Sequence, residues 1–378
     1  MTDWRAEWFD FENVSYLNAA GQGPLPRASI RAAQQAIEWK KFPHLIPDEA
    51  HFGLPDRVRA LLARLIGADP EEVAVTTGAS AGVAAVAMGL PWKSEDEVLL
   101  GEGDFPLHFA TFLPLAEAGV LRVKIVKPRG RFLDAEDFIA AIGPRTRLVS
   151  ASWVRFESGA RLDAARLARA CHDANALLLL DAAQAAGAVP LDVRAIGADF
   201  LAISGYKWLL GPYGTGFLSV RADHIERMRP APYYWGALEK AADFPALAQH
   251  GYRLRRGARR WDAAETASFF NLAPLEASLE FLLHAGVETV WKHNQRLIAD
   301  LIARLPLDRC VLASPARAED RGPYVCVAAR KREETPLIYE RLRQQGVITS
   351  LREGAIRVAP HLYNSERDMD RLLAALTV

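Results

Sequence analysis

Through the first two-thirds of the chain, short apolar runs rich in β-branched residues alternate with longer stretches of helical spacing. Residues 73–76 (VAVT) predict a strand, and Gly78-Ala79-Ser80 leads from it into a helix-like AGVAAVAMGL. Residues 97–100 (EVLL) predict a second strand, followed by an apolar stretch over 105–118. Further strands are expected at 123–126, 148–152, 200–204 and 214–220. Residues 164–174 have helical spacing, with Leu167 and Cys171 on one face. Residues 177–180 are four consecutive leucines closed by Asp181, the pattern of a strand buried on both faces. Strands alternating with helices predict an α/β fold, a mostly parallel sheet covered by helices.

The last third reads differently. Residues 271–305 predict one or two long helices. Beyond them, 324–328, 347–350 and 355–358 read as strands, and residues near 337–345 and 366–376 as helices, which makes a smaller α+β unit. The polar, glycine-containing RLRRGARRW within 252–261 marks the join. The expected organisation is a large unit over 15–255 and a small C-terminal unit over 256–378, with residues 1–14 packing on the latter.

Composition narrows the chemistry. Half of the 378 residues are hydrophobic and 24% are charged, enough for a sizeable core. The 46 basic and 46 acidic residues cancel, so global charge gives no support to a nucleic-acid partner. Cys171, Cys310 and Cys326 form no CxxC pair, which disfavours a structural metal, an iron–sulfur cluster and a disulfide scaffold. The first residues carry acids and no signal-like apolar core, and no run of about 18 apolar residues exists. A cytoplasmic protein with no membrane partner is expected, acting on a small molecule.

Ligands of open α/β sheets sit beyond the carboxyl ends of strands, so the residues just after each strand are the candidates for chemistry. Lys207 stands between Tyr206 and Trp208 in ISGYKWLLGP. Desolvation there lowers an amine's pKa and makes it a usable Schiff-base nucleophile. A surface lysine with its stem packed on Trp208 is the equal alternative. Asp181 ends the leucine strand, where a buried carboxylate needs a partner. That partner is a salt bridge, a helix N-terminus, or the protonated ring nitrogen of pyridoxal 5′-phosphate (PLP). Gln184 follows three residues on. The strand-to-helix turn at Gly78-Ala79-Ser80 offers backbone N–H groups and a positive helix end to a phosphate, or Ser80 simply caps the helix.

DAAQAAG, ISGYKWLLGPYGTGFL and IRVAPHLYNSERDMDRLL, with YLNAAGQGPLP and TTGAS, together resemble the class V aminotransferase family over about residues 15–375. That family includes cysteine desulfurases, kynureninases and isopenicillin-N-epimerase-like enzymes. The resemblance implies a fold-type-I PLP enzyme, commonly a homodimer with sites at the subunit interface. It implies that Lys207 forms the Schiff base, that Asp181 pairs with the pyridine nitrogen, and that Gln184 meets the phenolic oxygen. It implies phosphate contacts from Ala79, Ser80, Ser204 and Tyr206, a ring stack by Phe105, and a carboxylate grip by Arg357.

Two places depart from the pattern. Relatives often carry an Asn shortly before the glycine matching Gly159; here the segment is WVRFESG, and Arg155 is expected to face the substrate instead. WDAAETASFF replaces the stretch that donates a phosphate contact from the partner subunit in many relatives, and Thr266 or Ser268 is the expected donor. No cysteine lies between Tyr339 and Arg357, and Cys326 sits inside an expected strand, which disfavours desulfurase chemistry. His108, His361, Tyr233, Tyr234 and Trp235 are weaker candidates near the site. The expected function is PLP-dependent transamination between a small amino acid or amine and a keto acid. A lyase (C–S or C–C) or an epimerase of the same family is the alternative, and a non-catalytic PLP-binding protein is the least favoured.

Overall fold

The computed structural model describes residues 4–230, 234–266 and 268–377. Seven strands form the main sheet: β1 (Val73–Thr76), β2 (Glu97–Gly101), β3 (Arg122–Val126), β4 (Thr146–Ser152), β5 (Leu177–Asp181), β6 (Phe200–Ser204) and β7 (Gly216–Val220). Their spatial order is β1-β7-β6-β5-β4-β2-β3. β5, the leucine strand, is buried at every position near the middle of the sheet. Six strands run the same way, and β7 alone is antiparallel to both of its neighbours, β1 and β6. The reason is the short connection over 205–215: a parallel return needs a crossover of about a dozen residues or more, usually a helix. The reversal therefore leaves Lys207 in a turn at the carboxyl end of β6.

Helices cover the sheet. α1 (Arg27–Lys41), α2 (Asp48–Ile66), α3 (Ala79–Gly89) and α4 (Pro106–Glu117) precede the long α5 (Phe269–Ala285), against which α1 and α2 pack. The expected apolar stretch over 105–118 is α4. The expected long helical region over 271–305 is two helices, α5 and Val287–Ala303, broken at Gly286, whose φ of 80° suits glycine. A buried hydroxyl chain ties α1 and α5 to the Lys207 loop: Ser29 Oγ lies 2.7 Å from Ser278 Oγ, which donates to the Leu210 carbonyl at 2.7 Å. A second buried tie is ionic. The Arg59 guanidinium of α2 meets both Asp262 oxygens at 3.0 and 2.7 Å, and Asp262 Oδ1 also accepts from Val75 N–H of β1 at 2.8 Å.

The C-terminal part holds an antiparallel four-stranded sheet in which Ala355–Val358 lies between Ser350–Arg352 and Val325–Ala329, with Cys310–Leu312 at the far edge. The expected strand at 347–350 is two short strands, Val347–Ile348 and Ser350–Arg352. Its core is apolar, built from Leu297, Leu301, Val325, Leu342, Met369 and Leu372. The N-terminal strand Ser15–Tyr16 pairs in parallel with Val347–Ile348. The chain then runs to the Lys207 loop, where Gly23 N–H donates to the Tyr206 carbonyl at 2.9 Å. A Cβ on Gly23 would stand 2.0 Å from the Lys207 carbonyl oxygen, so only glycine fits this crossing. Among the described residues no helix is long and apolar enough to cross a membrane, and no cluster of three or more His, Cys, Asp or Glu is placed to hold a metal ion.

Candidate active site

Lys207 is 8% exposed. Its Nζ stands 5.5 Å from the Phe105 ring centroid and 5.4 Å from that of Tyr206. Burial lowers the amine's pKa from 10.5 to about 8; the Asp181 carboxylate opposes this, while Arg357 and Arg352 add to it. Phe105, Ser152, Phe156, Asp181 and Gln184 join Lys207 around one small pocket.

Asp181 closes β5 and points one oxygen at Ala183 N–H, 2.8 Å away. Burial pushes its carboxyl pKa up, against the pull of His108 and Lys207. Such a group gains most from a cation brought to it. Gln184 is oriented from both ends. Its Oε1 accepts from Trp208 Nε1–H at 3.0 Å, and its Nε2 donates to the Ala20 carbonyl at 3.2 Å. An indole N–H only donates, so the amide oxygen must face it, and the second Nε2 hydrogen is left for the pocket. Behind this wall His108, fully buried, lies 2.8 Å from Ser150 Oγ and 3.5 Å from Ser152 Oγ.

At the start of α3, Ala79 N–H donates to Ser204 Oγ at 3.2 Å, which joins two expected phosphate contacts. Ser80 is exposed in the first turn. A Cβ built on Gly78 meets nothing within 4 Å, so open space lies before the helix end. First-turn N–H groups have no intrahelical acceptor, and an anion there completes them. The Tyr206 ring packs on Tyr213 at 4.5 Å, and burial raises its phenol pKa.

Arg357 lies on Ala355–Val358, 2% exposed. Its Nη1 donates to the Phe156 carbonyl at 3.3 Å, its guanidinium carbon is 5.4 Å from the Tyr324 ring centroid, and its buried Nε has no partner. Arg155 is held among acidic neighbours, with its buried Nη1 lacking a hydrogen-bond partner. Its Nε donates to Glu157 Oε1 at 2.9 Å, Nη2 to the Glu102 carbonyl at 2.8 Å, and Nη1 lies 3.4 Å from Asp104 Oδ2.

Thr266 is not brought to Lys207 within one chain. It lies in a separate cleft with His51, Arg59, Tyr234 and Trp235, and its hydroxyl donates to the Ala263 carbonyl. Tyr233 lies outside the described residues. His361 is fully buried between the rings of Trp208 and Tyr363, and burial drives its pKa down to about 3, so it packs as a neutral ring. The three cysteines are buried. Burial pushes the Cys171 and Cys326 thiols up to about 12, so neither supplies a thiolate at neutral pH. Ser152 and Tyr324 carry no local signal in the sequence, and Trp208 is marked there only as packing for the lysine stem.

The residues present fit pyridoxal 5′-phosphate: a buried amine of lowered pKa, a buried carboxylate lacking a cation, a helix end facing open space, and a buried arginine with an orphaned Nε.

A family model for class-V aminotransferases matches residues 16–372. The chain is 28% identical over 383 residues to isopenicillin N epimerase of Streptomyces clavuligerus, covering 96% of this chain and 94% of that one. It is 30% identical over 296 residues to a probable cysteine desulfurase of Methanothermobacter thermautotrophicus, covering 76% and 71%. Among solved structures, a C-DES variant with glycine covalently linked to its PLP cofactor superposes with a TM-score of 0.90 at 24% identity over 99% of each chain. The complex of the cystine C–S lyase C-DES with cysteine persulfide gives 0.87 at 25% identity over 97% of each.

Proposed function

This chain belongs to the class-V aminotransferase family of PLP-dependent enzymes, and on that footing we propose that it transfers the amino group of a small α-amino acid to a keto acid. The observation that carries the reading is one buried amine of lowered pKa, Lys207, within electrostatic reach of both the Asp181 carboxylate and the Arg357 guanidinium. When bound, PLP supplies an electron sink for the bond broken at the substrate Cα.

The chain's own residues do the rest. Lys207 would hold the cofactor through its amine and would act as general base toward the Cα proton; a pKa near 8 leaves a useful share of the amine neutral at pH 7–8. Asp181 would keep a proton on the ring nitrogen. Gln184 would donate its free Nε2 hydrogen to the phenolic oxygen. Phe105 would cover a ring face, and Ala79, Ser80, Ser204 and Tyr206 would hold the phosphate. Arg357 grips the substrate carboxylate and so orients the Cα–H bond. The walls left for the substrate side chain are Phe105, Val154 and Phe156, which suit a small uncharged group. The reading includes a cytoplasmic homodimer in which Thr266 reaches the phosphate of the partner's site; exposed Trp235 and Phe270 beside Thr266 support the pairing.

The test is a single-turnover screen. An amino donor should convert the bound cofactor to its amine form, and pyruvate, glyoxylate or 2-oxoglutarate should restore it. No conversion with any donor sinks the reading.

A second reading is β-elimination at a C–S bond, favoured by the likeness to the cystine C–S lyase over 97% of each chain. Ammonia and pyruvate released from cystine or cysteine without any keto acid would select it. Epimerisation would show as loss of optical activity with no product released.

A further inference from the structure

We propose that Arg155 is a positioning residue, whose ion pair with Asp104 clasps the loop that carries Phe105 to the loop that supports Arg357. The proposal rests on the PLP reading above.

Three observations place it. First, the Arg155 side chain is 5% exposed and that of Asp104 is fully buried, so neither charge has water to fall back on. Second, Arg155 Nε and Nη2 donate to Glu157 and the Glu102 carbonyl, and Nη1 stands 3.4 Å from Asp104 Oδ2 as an ion pair without a hydrogen bond. Third, both ends of the clasp lead into the pocket. Asp104 Oδ1 accepts from Phe105 N–H at 2.7 Å, and its Oδ2 accepts from Ser152 N–H at 3.1 Å. The neighbour of Arg155, Phe156, meets the Phe105 ring edge-on at 5.4 Å, and its carbonyl accepts from Arg357. The Arg155 carbonyl accepts from Tyr324 Oη at 2.6 Å, and the Tyr324 ring lies against Arg357. Arg155 thus joins the residue proposed to cover the cofactor's face to the residue proposed to grip the substrate, with two of its three nitrogens donating to protein.

The charges facing Asp104 are Arg155 and His108, with Asp181 beyond; those facing Arg155 are Asp104 and Glu157. This arrangement makes opposite single changes electrically opposite. Arg155→Met leaves the Asp104 carboxylate uncompensated and favours a proton on the Lys207–cofactor nitrogen. Asp104→Asn leaves the guanidinium uncompensated and disfavours it.

The experiment titrates the visible absorbance of PLP-reconstituted holoenzyme for the wild type, Arg155→Met, Asp104→Asn and the double variant, and measures KM and kcat for each. The spectroscopic pKa should rise by about one unit in Arg155→Met and fall by about one in Asp104→Asn. It should return near the wild-type value in the double variant, whose KM stays within about threefold. A KM raised about thirtyfold or more in both Arg155→Met and the double variant, with no spectroscopic shift, overturns the proposal and makes Arg155 a substrate ligand. Shifts of the same sign in the two single variants also overturn it. If the single variants do not fold, the double variant decides by KM, and Arg155→Lys, which keeps the charge, decides by its unshifted titration. A wild-type holoenzyme with no visible absorbance fails the PLP reading itself, a result separate from all of these.

Discussion

The Trp208 indole N–H donates to Gln184 Oε1 at 3.0 Å, inside a core where neither side chain meets appreciable solvent. This bond sets which way the Gln184 amide faces, and so which atom the pocket receives. Trp208→Phe keeps an aromatic ring facing Tyr324 and removes the donor together with part of the buried ring. The orphaned carbonyl should cost about 1–3 kcal/mol in urea unfolding and shift the bound cofactor's absorbance maximum. An unchanged spectrum would mean that the Gln184 amide is fixed by Ala20 alone.

Asp181→Asn leaves an amide that cannot keep a proton on a ring nitrogen. The cofactor should still attach through Lys207, while kcat falls about 10²- to 10⁴-fold. Stopped-flow measurement of the first half-reaction isolates the effect. Loss of cofactor binding with an unchanged rate per bound site would contradict it.

The Lys207 amine has a pKa of about 8 in the folded chain, below its ordinary 10.5. Between these values the unfolded chain binds more protons than the folded one, so stability rises with pH across the window. The penalty is fully present below about pH 8 and is relieved by about pH 10.5, for a total on the order of 3 kcal/mol. Urea unfolding of cofactor-free wild type and Lys207→Met at both ends of the window measures the difference. A gap between the two proteins that does not change with pH would refute the lowered pKa.

Arg357→Gln removes a forked, charge-assisted grip. KM for α-amino acids should rise about 100-fold, while amines that lack a carboxylate should be turned over as before. Equal losses for both substrate types would assign Arg357 to the protein frame.

The buried Arg59–Asp262 pair makes a stability prediction away from the pocket. Asp262→Asn leaves a guanidinium buried without its carboxylate and should cost about 3–5 kcal/mol. Replacing both, as Arg59→Met with Asp262→Leu, should cost much less. Thermal unfolding of the three proteins compares them directly.

Much of the sheet is legible in the sequence because buried parallel strands are continuous apolar runs, as 177–180 shows. The reversal of β7 is not, since an apolar run carries no direction; the short connection over 205–215 decides it. α1 escaped the apolar pattern because its buried positions include Ser29 and Ala36, small residues that leave no stripe. At the site, Lys207, Asp181, Gln184 and Arg357 are readable because each sits in a motif of its own. The surroundings of Arg155 are not readable, because Asp104 comes from another loop and only the folded sheet brings the two together. Thr266 stands apart from Lys207 for a similar reason: its place in the chain does not say which cleft it lines.

The parallel pairing of Ser15–Tyr16 with Val347–Ile348 has a consequence for biosynthesis. The Asn364 side-chain amide donates to the Tyr16 carbonyl at 3.1 Å across 348 residues. A ribosome delivers the two partners tens of seconds apart, at about 5–20 residues per second. The same N-terminal stretch supplies the Ala20 carbonyl to Gln184 and the Gly23 N–H to the Lys207 loop. Until Val347–Ile348 and Asn364 emerge, that stretch has no final seat, so a shorter nascent chain cannot hold a finished pocket. Cofactor capture thereby waits on residues synthesised more than 300 positions after the segment that frames the pocket.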